Sequence, residues 1–228
     1  MTGWKNDGMT TLELHNQTIE LTMEAGQSAH YLLFNPVGGK LRICQKAGST
    51  LLLHVITIAP NACGQTEIIV EQAERDCNTQ IYGLSLLKAQ QEQELVTRVW
   101  HQVGGGKSDQ LLKFVLEDKA RGSFYGELKV QPDAQKTEAH QTNRNILLSP
   151  MAKMATKPQL EIYADDVKCS HGATTGQLDT NALFYMQQRG LSLPQARQLL
   201  LAAFLEETLN GLPETEADRF RTLIAENL

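Results

Sequence analysis

The chain has 228 residues, 41% hydrophobic and 21% charged, with a formal net charge of -5. These proportions are ordinary for a folded globular chain and speak against disorder or a fibrous repeat, and the acidic balance speaks against a broad basic face for nucleic acid. The length suits one domain or two unequal ones. No apolar run approaches the roughly 20 residues a membrane span needs, since even Leu51 to Ala59 is short and carries His54. Cys44, Cys63, Cys77 and Cys169 show no C-x-x-C pair, and the N-terminus lacks a secretory pattern. A reduced, cytoplasmic setting is therefore expected.

From about residue 11 to 170 the chain reads as short strands, at 18–22, 51–58, 66–70, 95–100, 124–130 and 159–163. Their spacing of roughly 10–15 residues is that of an all-β fold, and sandwich, barrel and β-helix all satisfy it. The run Gly104-Gly-Gly-Lys-Ser108 looks like a phosphate loop but has His101 where the pattern requires glycine, so it is read as a turn. Glu138 and His140 share a strand face by alternation and are read as polar surface. Cys44, Cys63 and Cys77 are read as structural thiols.

The run from Thr156 to Thr174 carries the chemistry. Asp165 and Asp166 precede Cys169 and His171, which are two positions apart and so point to one face of an extended chain. Sulfur and imidazole donors suit iron, zinc or copper, but two ligands do not complete a tetrahedral site. The remaining ligands must come from elsewhere, another chain included. A direct nucleophile–base pair is disfavoured, because i, i+2 residues on a strand stand about 7 Å apart. The plain alternative makes Cys169 a small buried hydrophobe and His171 a turn residue. Asp165 and Asp166 suit either transient iron binding as hard oxygen ligands or capping of a turn.

Around Leu178 the period changes to 3.6. Asp179 is placed to cap a helix through Phe184 to Gln188, stopped at Gly190. Ser192 caps a second, with Pro194 in its first turn. Ala196, Leu199, Leu200, Ala203 and Phe204 form an apolar stripe expected to be core, while Leu201, Leu205 and Leu209 form a second row that packs or meets a partner. Gly211-Leu-Pro213 is expected to end that helix, and 214–227 to form a third.

Several blocks closely resemble the SufB/SufD family of the SUF iron–sulfur cluster assembly system. They are Lys119-Ala-Arg-Gly, Phe124-Tyr-Gly, Ala134-Gln-Lys-Thr-Glu-Ala, Gln141-Thr-Asn-Arg-Asn-Ile-Leu-Leu-Ser149, the 156–174 run, Gly176-Gln-Leu-Asp and Ala182-Leu-Phe-Tyr-Met-Gln-Gln-Arg-Gly-Leu191. The likeness runs from Lys113 to about Phe204 and extends to the first 110 residues only in general character. It favours the SufD branch, whose members carry Asp-Asp-Val-Lys-Cys-Ser-His-Gly-Ala-Thr. Thr175 stands where valine is common there, and Ala155 where aspartate is frequent.

The resemblance implies a mostly β fold, with a right-handed parallel β-helix core over 1–177 and a small C-terminal α-helical domain over 178–228. It implies a non-enzymatic scaffold that pairs through its terminal strands with a SufB-like subunit or with itself. The helical region would dock a SufC-type ABC ATPase. No cofactor would be stably bound, and a transient iron–sulfur cluster would form at a subunit interface using His171 and, less securely, Cys169. The N-terminal helical region usual in the family is expected to be missing here, with Trp4 a candidate cap for the open end. The competing expectation is an enzyme on a β-solenoid or cupin-like scaffold, using Asp165, Asp166 and His171 in acid–base or metal chemistry.

Overall fold

The computed structural model describes residues 8–58 and 64–228, so Trp4 and Cys63 lie outside the described residues. Thirteen strands are described: β1 (Thr10–Leu12), β2 (Thr18–Met23), β3 (Ser28–Phe34), β4 (Gly39–Gln45), β5 (Thr50–Thr57), β6 (Gly64–Gln72), β7 (Asn78–Leu87), β8 (Glu92–His101), β9 (Lys107–Leu116), β10 (Arg121–Val130), β11 (Glu138–Leu147), β12 (Lys153–Ile162) and β13 (Lys168–Gly176). Helices α1 (Thr180–Gln188), α2 (Leu193–Glu206) and α3 (Glu214–Asn227) follow, with a 3-10 turn at Glu207–Leu209 before α3. No described helix is long and apolar enough to cross a membrane.

Odd-numbered strands form a seven-stranded sheet and even-numbered strands a six-stranded one, each in chain order. Along the odd sheet Thr50 opposes Asn78, which opposes Lys107, then Glu138, then Lys168, with every step parallel. Each circuit of chain thus returns to its sheet one rung further on. The fold is a parallel β-solenoid, as the resemblance implied. Corners are made by residues in the left-handed region, among them Asp76, Asp118 and Gly105 at φ of 59°, 54° and 80°. At Gly105 a side chain would also strike the Asp76 carboxylate, so the phosphate-loop look-alike is a solenoid corner leading into β9.

Between the sheets lies an apolar interior that includes Leu51, Leu53, Val70, Val99, Phe114, Phe124 and Leu128, each no more than 2% exposed. The outer face of the odd sheet is apolar too. Leu32, Ile56, Leu84 and Val115 pack there against Leu201, Leu205, Leu209, Phe220 and Ile224 of the helical tail. The even sheet instead turns a polar outer face outward, where Glu127 accepts from the Trp100 indole at 2.8 Å and pairs with Arg98.

The helix starts follow their caps. Asp179 accepts from the Asn181 N–H at 2.8 Å, and Ser192 with Gln195 forms a capping box at α2. The stripe expected to be core is not the seated one: Ala196 is buried, but Leu200 and Phe204 are half-buried, Ala203 is exposed and Leu199 is 50% exposed. The Leu201, Leu205, Leu209 row faces the sheet, because the sheet offers the larger apolar surface and burial scales with area. The second helix also stops at Glu206, short of Gly211, as the chain tightens into its 3-10 turn. Two polar contacts fix the tail. Lys113, 3% exposed, donates to the Phe204 carbonyl at 2.7 Å and to Glu207 at 2.8 Å. His54 Nε2 lies 3.1 Å from the Asn210 carbonyl.

Candidate functional site

The last circuit of the solenoid holds the expected donors. Asp165 and Asp166 are exposed in the turn that joins β12 to β13. The Asp166 carboxylate pairs with Lys136, its carbonyl accepts from the Lys136 N–H at 2.7 Å, and its N–H donates to Gln135 Oε1 at 2.9 Å. Asp166 thus ties one corner to the corner before it. Val167 anchors the turn against Val130, Ala134 and Ala164, and β13 then pairs with β11.

Register sets the faces. Ala139 opposes Cys169, Gln141 opposes His171, Asn143 opposes Ala173 and Asn145 opposes Thr175. Since Ala139, Gln141, Asn143 and Asn145 are all buried, Cys169 and His171 occupy the inward-facing rows, on one face as the alternation predicts. β13 is the terminal strand of its sheet and β12 of the other. Interior rows therefore emerge here at an open end.

Cys169 is half-buried and packs against the apolar interior. Burial pushes its thiol up, and the Ala139 backbone pulls weakly the other way, so it is a protonated thiol at neutral pH until a cation or metal favours the thiolate. His171 is exposed. Among the described residues no three His, Cys, Asp or Glu side chains form a group that could hold a metal. Cys169 and His171 alone do not complete a tetrahedral site.

The outward rows hold the other polar candidates. Glu138 lies between Lys107 at 3.3 Å and Lys168 at 3.2 Å, and these ammonium groups hold its carboxyl low. His140 Nδ1 lies 2.8 Å from Ser170 Oγ, and its other neighbour in register is Asp109, whose carboxyl burial pushes up. Sequence reading missed Asp109 and Ser170, since only the register brings residues some thirty positions apart into one row. It missed Gln141 in the same way. Cys77 is buried, with Sγ 3.2 Å from the Lys46 carbonyl, as a structural thiol should be; Cys44 is half-buried and opposes Glu71 on the even sheet's outer face. The open grooves beside Gln65, one lined by Gln93, Arg121 and Ser123 and the other by Asn16, Lys40 and Glu67, include none of Asp165, Asp166, Cys169 or His171.

Residues 6–204 match the family described as SUF system FeS cluster assembly, SufBD core domain. The chain is 46% identical over 118 residues to the iron–sulfur cluster assembly protein SufD of Escherichia coli, covering 51% of this chain and 28% of that protein. It is 39% identical over 142 residues to an iron–sulfur cluster assembly SufBD family protein of Synechocystis, covering 62% and 31%. With SufD of Bacillus subtilis it shares 32% over 139 residues, covering 60% and 31%. The matched stretch spans under a third of the length of these relatives. A solenoid bearing the Cys169–His171 edge, matched over most of its length by that family and similar to proteins named SufD, identifies the chain as a member of the SufBD core family.

Proposed function

We propose that this chain is a scaffold subunit of SUF iron–sulfur cluster assembly, acting in the cytoplasm with a SufB-like subunit and a SufC-type ATPase and having no catalytic activity of its own. The observation that carries the reading is the placement of Cys169 and His171 on the inward rows of a terminal strand in a SufBD-family solenoid. Unpaired backbone on the free edges of β12 and β13 suits strand-to-strand pairing with a SufB-like subunit or a second copy. Such pairing would bring the partner's interior rows against these two residues and supply the missing donors. Thiol and imidazole are the ligand types that iron–sulfur chemistry uses, so a nascent cluster, as cargo, would be held transiently across the junction.

The ATPase is assigned to the helical tail. Phe184 and Tyr185 of α1 are 63% and 59% exposed, and Leu193 and Leu199 of α2 are 46% and 50% exposed. With Leu201 and Leu205 taken up by the sheet, these are the apolar side chains left to meet a partner. ATP-driven closure of that partner would move the tail and, through it, the junction at β13.

Co-purification with the chain's own SufB-like and SufC-like proteins tests the reading. A stable complex is expected, losing the SufC-like protein when Phe184 and Tyr185 are both replaced by serine. A chain that stays a monomer beside both partners would contradict it.

A further inference from the structure

Resting on the assignment of His171 as a donor, we propose that Gln141 is the positioning residue that fixes the His171 imidazole. It would accept a hydrogen bond from one ring nitrogen, so that the other nitrogen's lone pair points out of the open end. The inward row through this position runs Leu53, Ile81, Gln110, Gln141, His171 in strict register. It changes from aliphatic to amide to imidazole as it approaches the end of the solenoid.

The two amides are the unusual members. Gln110 is 0% and Gln141 1% exposed, yet neither the nitrogen nor the oxygen of either amide is hydrogen-bonded. An unsatisfied buried polar group costs about 1–3 kcal/mol, and Ile81 and Leu53 fill this row without that cost two and three rungs before Gln141. The next two rows behave differently. Asn143 and Asn145 bond to each other, to the Leu112 carbonyl at 3.1 Å and to the Thr174 carbonyl at 3.1 Å. Other buried side chains, among them Gln72 and Gln93, leave one polar atom open, but among the described residues only Gln110 and Gln141 leave both amide atoms without a partner, and Gln141 is the one beside His171.

The opposite sheet is shaped for the amide. On β10, Gly126 faces Gln141, and a Cβ there would collide with the nitrogen, oxygen and carbon of the amide. The even sheet thus leaves out a side chain where the amide lies. Neighbouring strands stand about 4.8 Å apart, which brings a glutamine amide within hydrogen-bond reach of an imidazole in the next rung. Ligating histidines characteristically donate their second ring N–H to an oxygen acceptor, which sets tautomer and ring orientation. Gln141 Oε1, one rung from His171 and without a partner of its own, would be that acceptor, and Gln110 precedes it by one rung in the same row.

The test is the imidazole 15N spectrum of the intact chain with labelled histidine, at about pH 8 where an ordinary imidazole is neutral. His171 is assigned by the signals lost in His171→Ala. The wild type should show one neutral tautomer, with well-separated ring nitrogens. Gln141→Met should collapse the pair toward the tautomer mixture of free histidine, whereas Gln141→Glu, which keeps the acceptor oxygen, should preserve the separation. Gly126→Ala, which displaces the amide without touching His171, should act like Gln141→Met. A tautomer mixture in the wild type, or wild-type shifts in folded Gln141→Met, overturns the proposal. Because the readout needs no iron, sulfide or partner, a single Gln141-dependent tautomer in a chain that supports no cluster formation sinks the proposed function alone. Cluster formation that persists while Gln141→Met leaves the shifts unchanged sinks only the role of Gln141.

Discussion

Two buried histidines make the solenoid acid-sensitive. His54 lies within the contact between the odd sheet and the tail, with His30 Nε2 at 3.0 Å, the Tyr82 ring stacked at 5.3 Å and the Asn210 carbonyl at 3.1 Å. Burial, and then the neighbouring His30, push it down to about 3. It is therefore neutral: Nε2–H donates to the Asn210 carbonyl, and Nδ1 accepts from His30. His101, buried between the sheets beside Ser108, is pushed down to about 4 by burial. A folded value below the unfolded one, near 6.5, means that the unfolded chain binds more protons as pH falls below 6.5. The stability these residues contribute is thus complete above pH 6.5 and lost progressively below it, at about 2 kcal/mol for each histidine by pH 5. Urea unfolding should show a lower midpoint at pH 5 than at pH 7. His54→Gln, which retains an N–H for Asn210, should flatten that dependence; an unchanged slope would contradict the assignment.

The elements differ in how openly they show themselves in sequence, and the reason is what covers each sheet. Even-sheet strands alternate buried and exposed residues, as β10 does, because their outer face stays polar. Five of the six runs read as strands, 18–22, 66–70, 95–100, 124–130 and 159–163, belong to the even sheet; the sixth, 51–58, is the odd-sheet strand β5, which shows as a continuous buried run and not as alternation. Odd-sheet strands such as β7 and β9 are buried on both faces under the helical tail, which removes the period of two. The tail itself was readable from Asp179, Ser192 and Pro194, but the choice of seated row needed the sheet. Its polar anchor gives an asymmetric prediction. Glu207 is about half exposed while Lys113 is buried. Glu207→Ala would leave an ammonium buried with one carbonyl partner and should cost several kcal/mol, whereas Lys113→Met leaves a carboxylate that water can solvate and should cost less. Thermal unfolding of the two variants decides this, and a greater loss in Lys113→Met would contradict the argument.

At the scale of the molecule, the inward face of the odd sheet carries a cluster of buried amides near its β13 end. Gln110 and Gln141 follow Ile81 in their row, Asn143 follows Leu112 and Asn145 follows Phe114, before Cys169 and His171 emerge at the edge. The alternation of Cys169 and His171 was legible because strand periodicity needs only their spacing. That their shared face is the inward one depends on pairing with β11, which lies some thirty residues upstream. Asp165 and Asp166, equally prominent in sequence, turn out to be corner residues, Asp166 already paired with Lys136. In the proposed function the chemistry lies at a junction between this end and a second chain. The most direct test is anaerobic iron and sulfide reconstitution of the complex with the SufB-like and SufC-like partners, read by visible absorbance and compared with the same complex carrying His171→Ala. The account predicts a cluster band that the variant largely loses while the complex stays assembled; an equal band in both would contradict it.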